Sequence, residues 1–118
     1  MDVSQYVDNV RRCTAELKRR NAEATARARA ELPRIVEAIR ATPGIKRAYL
    51  FGSLVKGTFH PGSDIDIAVE GLEPEARYDL ISRLERLAQF AVDLRDLDGS
   101  PGFRRVVEAY GEVLHADG

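Results

Sequence analysis

Asp64 and Asp66 flank one isoleucine inside the apolar run "DIDIAV". On an extended strand residues two apart share a side, so both carboxylates would project together, their Cα atoms roughly 6–7 Å apart. Ile65 and Ile67 would then face the other way, where helices can cover them. Two carboxylates this close repel, and burying an uncompensated ion is costly. A divalent cation is the natural compensation, and oxygen-only ligands select a hard ion such as Mg²⁺. "VDLRDL" repeats the pattern, with Asp93 between apolar Val92 and Leu94. If the two strands pair with their helix-covered faces aligned, Asp93 joins Asp64 and Asp66. Three acids on one sheet face suit two metal ions about 3.5–4 Å apart, which can hold a triphosphate and activate an attacking oxygen.

Gly52 and Ser53 lie ten residues before Asp64, at the end of the apolar run "IKRAYLF". Glycine lets backbone approach a ligand closely, and a strand-to-helix turn aims N–H groups outward as a phosphate cradle. The Ser53 hydroxyl adds a donor, and Lys56 is near enough in sequence to neutralise phosphate charge. Each feature alone has a plainer reading. A Gly–Ser after a strand is usually a turn, D-I-D can be a solvent-facing edge strand, and a loop lysine is commonly just exposed. What separates the set is that all of it sits on or beside expected strands, in an order one mechanism requires.

The elements that must position these residues follow from periodicity. Residues 3–30 read as a helix, with Val3, Tyr6, Val7, Val10, Cys13, Thr14 and Leu17 forming one apolar stripe. From Lys18 to Glu31 the stripe thins to alanines, good helix formers with little to bury. Pro33 either kinks this helix or starts a second one, whose core face is Leu32, Ile35, Val36 and Ile39. Strands are expected over 45–51, 64–69 and 90–97, helices over 74–89 and 101–110, and a short last strand at "EVLH". Gly52–Ser53 would open a short helix, and 57–63 is loop. The order α-α-β-(α)-β-α-β-α-β implies an α/β or α+β sheet with helices packed on it.

Composition bounds the rest. The chain's 118 residues fit one domain, with 44% hydrophobic and 31% charged residues, which argues against wholesale disorder. No apolar run approaches the ~18 residues of a membrane span, and the charged N-terminus lacks a signal peptide's apolar core. Cys13 is the sole cysteine, so no internal disulfide forms, which fits a reducing cytoplasm. A net charge of −1 gives no strong nucleic-acid signal, although residues 1–30 carry +3 and residues 64–98 carry −6. His60 and His115 read as surface residues. No His/Cys cluster supports zinc, and no Ser–His–Asp set supports an acyl-enzyme.

Gly52–Ser53, ten intervening residues, then Asp64–Ile65–Asp66 resembles the G-S-x10-D-x-D signature of the polymerase-β-like nucleotidyltransferase superfamily. It looks most like the single-domain minimal nucleotidyltransferases (MNT), commonly encoded beside a HEPN-domain protein and acting as antitoxins. The resemblance covers about residues 35–115, including the strand with Asp93 and the closing "VVEAYGEVLH". It implies a nucleotidyltransferase domain at 33–118, a small mixed sheet with helices on one face, preceded by a helical extension at 1–32. It implies that Asp64, Asp66 and Asp93 bind Mg²⁺, with Asp93 also available as general base, and that Gly52 and Ser53 hold the phosphates of ATP. The implied reaction moves AMP to a hydroxyl, and in MNT antitoxins that hydroxyl is a tyrosine of a HEPN toxin. Two alternatives stay open: neutralisation of a partner by contact alone, and transfer to a small molecule. The extension departs from many minimal relatives. Its stripe can fold back on the domain, dock on a partner or meet a second copy.

Overall fold

The computed structural model describes residues 2–117. A 38-residue helix, α1 (Val3–Arg40), opens the chain. Asp2 caps it, its side chain accepting from the Gln5 N–H at 2.9 Å. Pro33 neither starts a new helix nor ends this one. A proline inside a helix forfeits one backbone bond and crowds the preceding turn, at about 3 kcal/mol. Here it lies on the exposed side, while Leu32, Ile35, Ala38 and Ile39 are buried on the other. The packing of that buried face offsets the loss. α1 therefore crosses residues 32 and 33 without a break.

The core begins earlier along α1 than the expected core face at Leu32, and later than the apolar stripe. Ala24 and Ala28 are fully buried, because small side chains let the helix lie close to the sheet. The larger apolar residues of the stripe, Val3, Tyr6, Val7, Val10 and Leu17, are exposed instead. The stripe does not fold back onto the domain.

Four strands form one sheet: β1 (Arg47–Phe51), β2 (Ile65–Glu70), β3 (Val92–Asp96) and β4 (Glu112–Ala116). Their order is β3-β2-β1-β4. β1 runs antiparallel to both β2 and β4, and β2 runs parallel to β3. A parallel pair needs a crossover, supplied by a helix over Pro74–Leu87. The chain between β1 and β2 holds one short helical turn, Ser53–Lys56, and the chain between β3 and β4 holds a helix over Pro101–Tyr110. In chain order these three are α2, α3 and α4: Ser53–Lys56, Pro74–Leu87 and Pro101–Tyr110.

Strand alternation sends Ala48, Leu50, Ile65, Ile67 and Val69 into one cluster with the buried faces of α1 and α3. Tyr49 and Ala68 point the other way and pack with Leu97 and Val107, flanked by Phe51 and Phe103. α1 and α3 thus cover one face as expected, while α4 covers part of the opposite face. The strands also begin slightly later than expected. β1 starts at Arg47, and Asp64 sits one residue ahead of β2.

Candidate active site

The parallel register places Asp66 of β2 directly beside Asp93 of β3. Partners in register share a face, so both carboxylates point away from the α1–α3 core. Asp64, exposed at the lip of β2, lies two residues before Asp66. Burial first, then the negative charges of Asp93 and Asp64, push the Asp66 carboxyl above the usual carboxylate range. Arg95 and Lys56 act in the opposite direction on Asp66. The three acids are therefore brought together electrostatically. They are not closed around one point: among the described residues, no group of three or more His, Cys, Asp or Glu side chains is gathered to hold an ion. Asp93 is drawn toward its own strand instead, its Oδ2 accepting from Arg95 Nε at 3.1 Å.

β1 delivers the turn to the same place. Phe51, its last residue, is in register with Asp66, so Gly52 follows beside that carboxylate. Gly52 has φ 76° and ψ −149°, a conformation that side chains disfavour. A Cβ there would collide with the Asp66 carboxylate, so only glycine leaves room. The turn is well tied. The Val55 and Lys56 amides donate to the Gly52 carbonyl, and those of Gly57 and Thr58 donate to the Ser53 carbonyl. Leu54 is buried beneath α2, and the exposed Lys56 ends it. The loop leading to Asp64 is pinned by Phe59, buried edge-on against Phe90 with ring centroids 5.2 Å apart.

The far ends of the same strands are treated differently. Glu70 accepts from Arg104 at 2.9 Å and lies 3.9 Å from Arg47. Asp96 is paired with Arg77, and Asp98 accepts from the Gly71 amide. Behind the site, buried Glu31 of α1 accepts from the Gln89 amide at 2.8 Å, fixing the bend from α3 into β3. Sequence reasoning missed Arg95 and Glu31. Arg95 was accessible, because it is two residues from Asp93 on one strand face. Glu31 was not, because its partner lies 58 residues away.

An apolar cleft of about 170 Å³ adjoins the turn, between Gly52, Val55 and Lys56 on one side and Phe103, Val106 and Tyr110 of α4 on the other. A larger groove, about 420 Å³, lies between α1 and α3 around Arg34, Glu37, Arg83 and Leu87. That groove lies on the helix-covered side, away from the face that bears Asp66 and Asp93, whereas the smaller cleft adjoins Gly52, which sits against Asp66. In residue type Asp64, Asp66 and Asp93 suit a divalent cation, and Asp66 and Asp93 stand side by side on one face. All donors are oxygens, and the charge strain on Asp66 is what a cation would relieve. Among the described residues no helix is long and apolar enough to cross a membrane.

Comparison with known proteins bears on this arrangement. The family described as polymerase beta, nucleotidyltransferase matches residues 34–117. The protein adenylyltransferase MntA of Shewanella oneidensis is 45% identical over 58 residues, which are 47% of this chain and 42% of that protein. The matched region thus spans less than half of that curated relative. A crystal structure of a toxin–antitoxin with AMP-PNP aligns with TM-score 0.63 and 36% identity, over 72% of this chain and 73% of that one. A mutant of the toxin–antitoxin MntA–HpeT aligns with TM-score 0.63 and 33% identity, over 72% and 73%. With the family match reaching from within α1 to the residue after β4, the chain belongs to the polymerase beta nucleotidyltransferase family.

Proposed function

We propose that this chain transfers AMP from ATP to a hydroxyl of a partner protein, a tyrosine of a HEPN-type toxin, and so acts as an antitoxin in the cytoplasm. The observation that carries the reading is the side-by-side register of Asp66 and Asp93 with Gly52 seated against Asp66. The adenylyltransferase MntA and the toxin–antitoxin structures among its relatives support the reaction and the partner class. The catalytic unit on this reading is 33–118, with 1–32 as an extension.

Asp64, Asp66 and Asp93 would hold Mg²⁺, two ions on this reading, which when bound would offset the phosphate charge and lower the acceptor's pKa. The Gly52–Ser53 turn and Lys56 would hold the phosphates. Asp93 would take the proton of the acceptor hydroxyl as its oxygen bonds to the α-phosphorus. The bond from that phosphorus to pyrophosphate breaks, and pyrophosphate leaves with its electron pair. The apolar cleft beside Gly52, continued outside by exposed Val106 and Tyr110, suits an acceptor presented on a protein surface.

The test is transfer of label from α-labelled ATP, with Mg²⁺, to the product of the adjacent gene. Asp93→Asn is expected to slow transfer on the order of 10²–10⁴-fold. Wild type indistinguishable from Asp66→Asn would remove the catalytic reading and leave neutralisation by contact. Label appearing on small hydroxylated molecules without any partner protein would favour the small-molecule alternative.

A further inference from the structure

We propose that the exposed N-terminal segment of α1 pairs antiparallel with the same segment of a second copy of this chain. The apolar stripe is bare, with Val3 and Leu17 at its two ends 78% and 60% exposed. It is also a palindrome in position. About Val10, Val3 mirrors Leu17, Tyr6 mirrors Thr14 and Val7 mirrors Cys13. A two-fold contact needs one patch to be complementary to itself, with each residue meeting its counterpart in both directions. Antiparallel pairing across Val10 sets every member of the stripe level with another member.

The charges carry the same orientation. Before Val10 the helix has Asp8, and Asp2 caps it. From Arg11 to Arg20 come Arg11, Arg12, Lys18, Arg19 and Arg20 against one acid, Glu16, which is already paired with Arg19 and Arg20. Antiparallel pairing puts Asp2 level with Lys18 and Asp8 level with Arg12, whereas parallel pairing stacks like on like. Residues 3–17 span about 21 Å of helix. That overlap ends before Ala24, where α1 enters its own core, so each domain keeps clear of the other's helix. A contact of this length is smaller than the roughly 800 Å² per partner of a standard interface, so the dimer should depend on concentration. The segment lies outside the matched region 34–117, and the pairing does not depend on the proposed reaction.

Sedimentation velocity of the full chain from about 1 µM to about 100 µM tests it. The expected result is a shift from one chain to two, and Val10→Asp should remain one chain throughout with unchanged thermal unfolding at low concentration. Wild type that stays single, or Val10→Asp that still pairs, overturns the proposal. Orientation is read with V7C under copper–phenanthroline in air. Antiparallel pairing brings the new thiol level with Cys13 of the second copy and should give a covalent dimer. Wild type should not cross-link, since two Cys13 side chains would sit six residues out of level, beyond disulfide reach. A wild-type cross-link at Cys13, or V7C no faster than wild type, overturns the antiparallel arrangement.

Discussion

The two halves of α1 are one unbroken helix with opposite fates. The first half carries valines, a tyrosine and a leucine, and leaves them in water. The second half hides two alanines completely before it reaches Leu32, Ile35 and Ile39. The difference teaches that burial is decided by what lies opposite, not by how apolar a stretch is. Ala24 and Ala28 are buried because the sheet and its loops come close there, and a small side chain permits close approach. The stripe from Val3 to Leu17 projects past the sheet and is left exposed among the described residues.

The contrast can be tested by substitutions along the one helix. Ile35→Ala removes a fully buried side chain against the sheet. It should cost about 2–5 kcal/mol in urea unfolding. Glu31→Ala strands the Gln89 amide in a buried bend. About 1–3 kcal/mol is expected, seen as a lower urea midpoint with unchanged slope. A loss much smaller than that would mean water replaces the carboxylate.

A weaker tie is the fork from Arg29 to Glu112 of β4, with bonds of 2.6 and 2.8 Å. Hydrogen bonding to Arg29 holds the Glu112 carboxyl below the usual range. A depressed carboxylate stabilises the fold above its unfolded pKa, about 4.3, and loses that contribution as pH falls through the lower folded value. Both side chains are well exposed, so Glu112→Gln should cost under about 1 kcal/mol at pH 7, and the gap to wild type should close in acid. Smallest of all, Val10→Ala at low protein concentration should stay within about 0.5 kcal/mol of wild type. A large loss there would show that the first half of the helix is covered within the monomer after all.

Much of this was legible in the residues. Period-two alternation separated Asp66 from Ile65 and Ile67, and the same alternation placed Asp93, so the acid face follows from local pattern once β2 and β3 are neighbours. Helix and strand order were legible for the same reason. Three things were not. Pro33 has both a start-of-helix and a kink reading, and only the packing on either side of it selects continuity. The contact between Gly52 and Asp66 depends on the antiparallel register of β1 and β2, which no single strand encodes. The position of α4 across the acid-bearing face depends on Val107 and Phe103 meeting Tyr49 and Ala68, residues that are distant in the chain.

The uneven placement of arginines along the sheet has a consequence for how a substrate arrives. Guanidinium groups neutralise Glu70 and Asp96 at one end of the strands, whereas three acids at the other end have Arg95 and Lys56 nearby. Arg95 is bonded to Asp93 and Lys56 lies beside Asp66, so three acids face two cations and that end keeps a small negative excess, which disfavours a bare polyphosphate and favours multivalent cations. On the proposed reading, a nucleotide stripped of its counter-ion is turned away at the door. Admission then goes to the ion–nucleotide pair, and chelation would act by denying entry before any bond is made or broken.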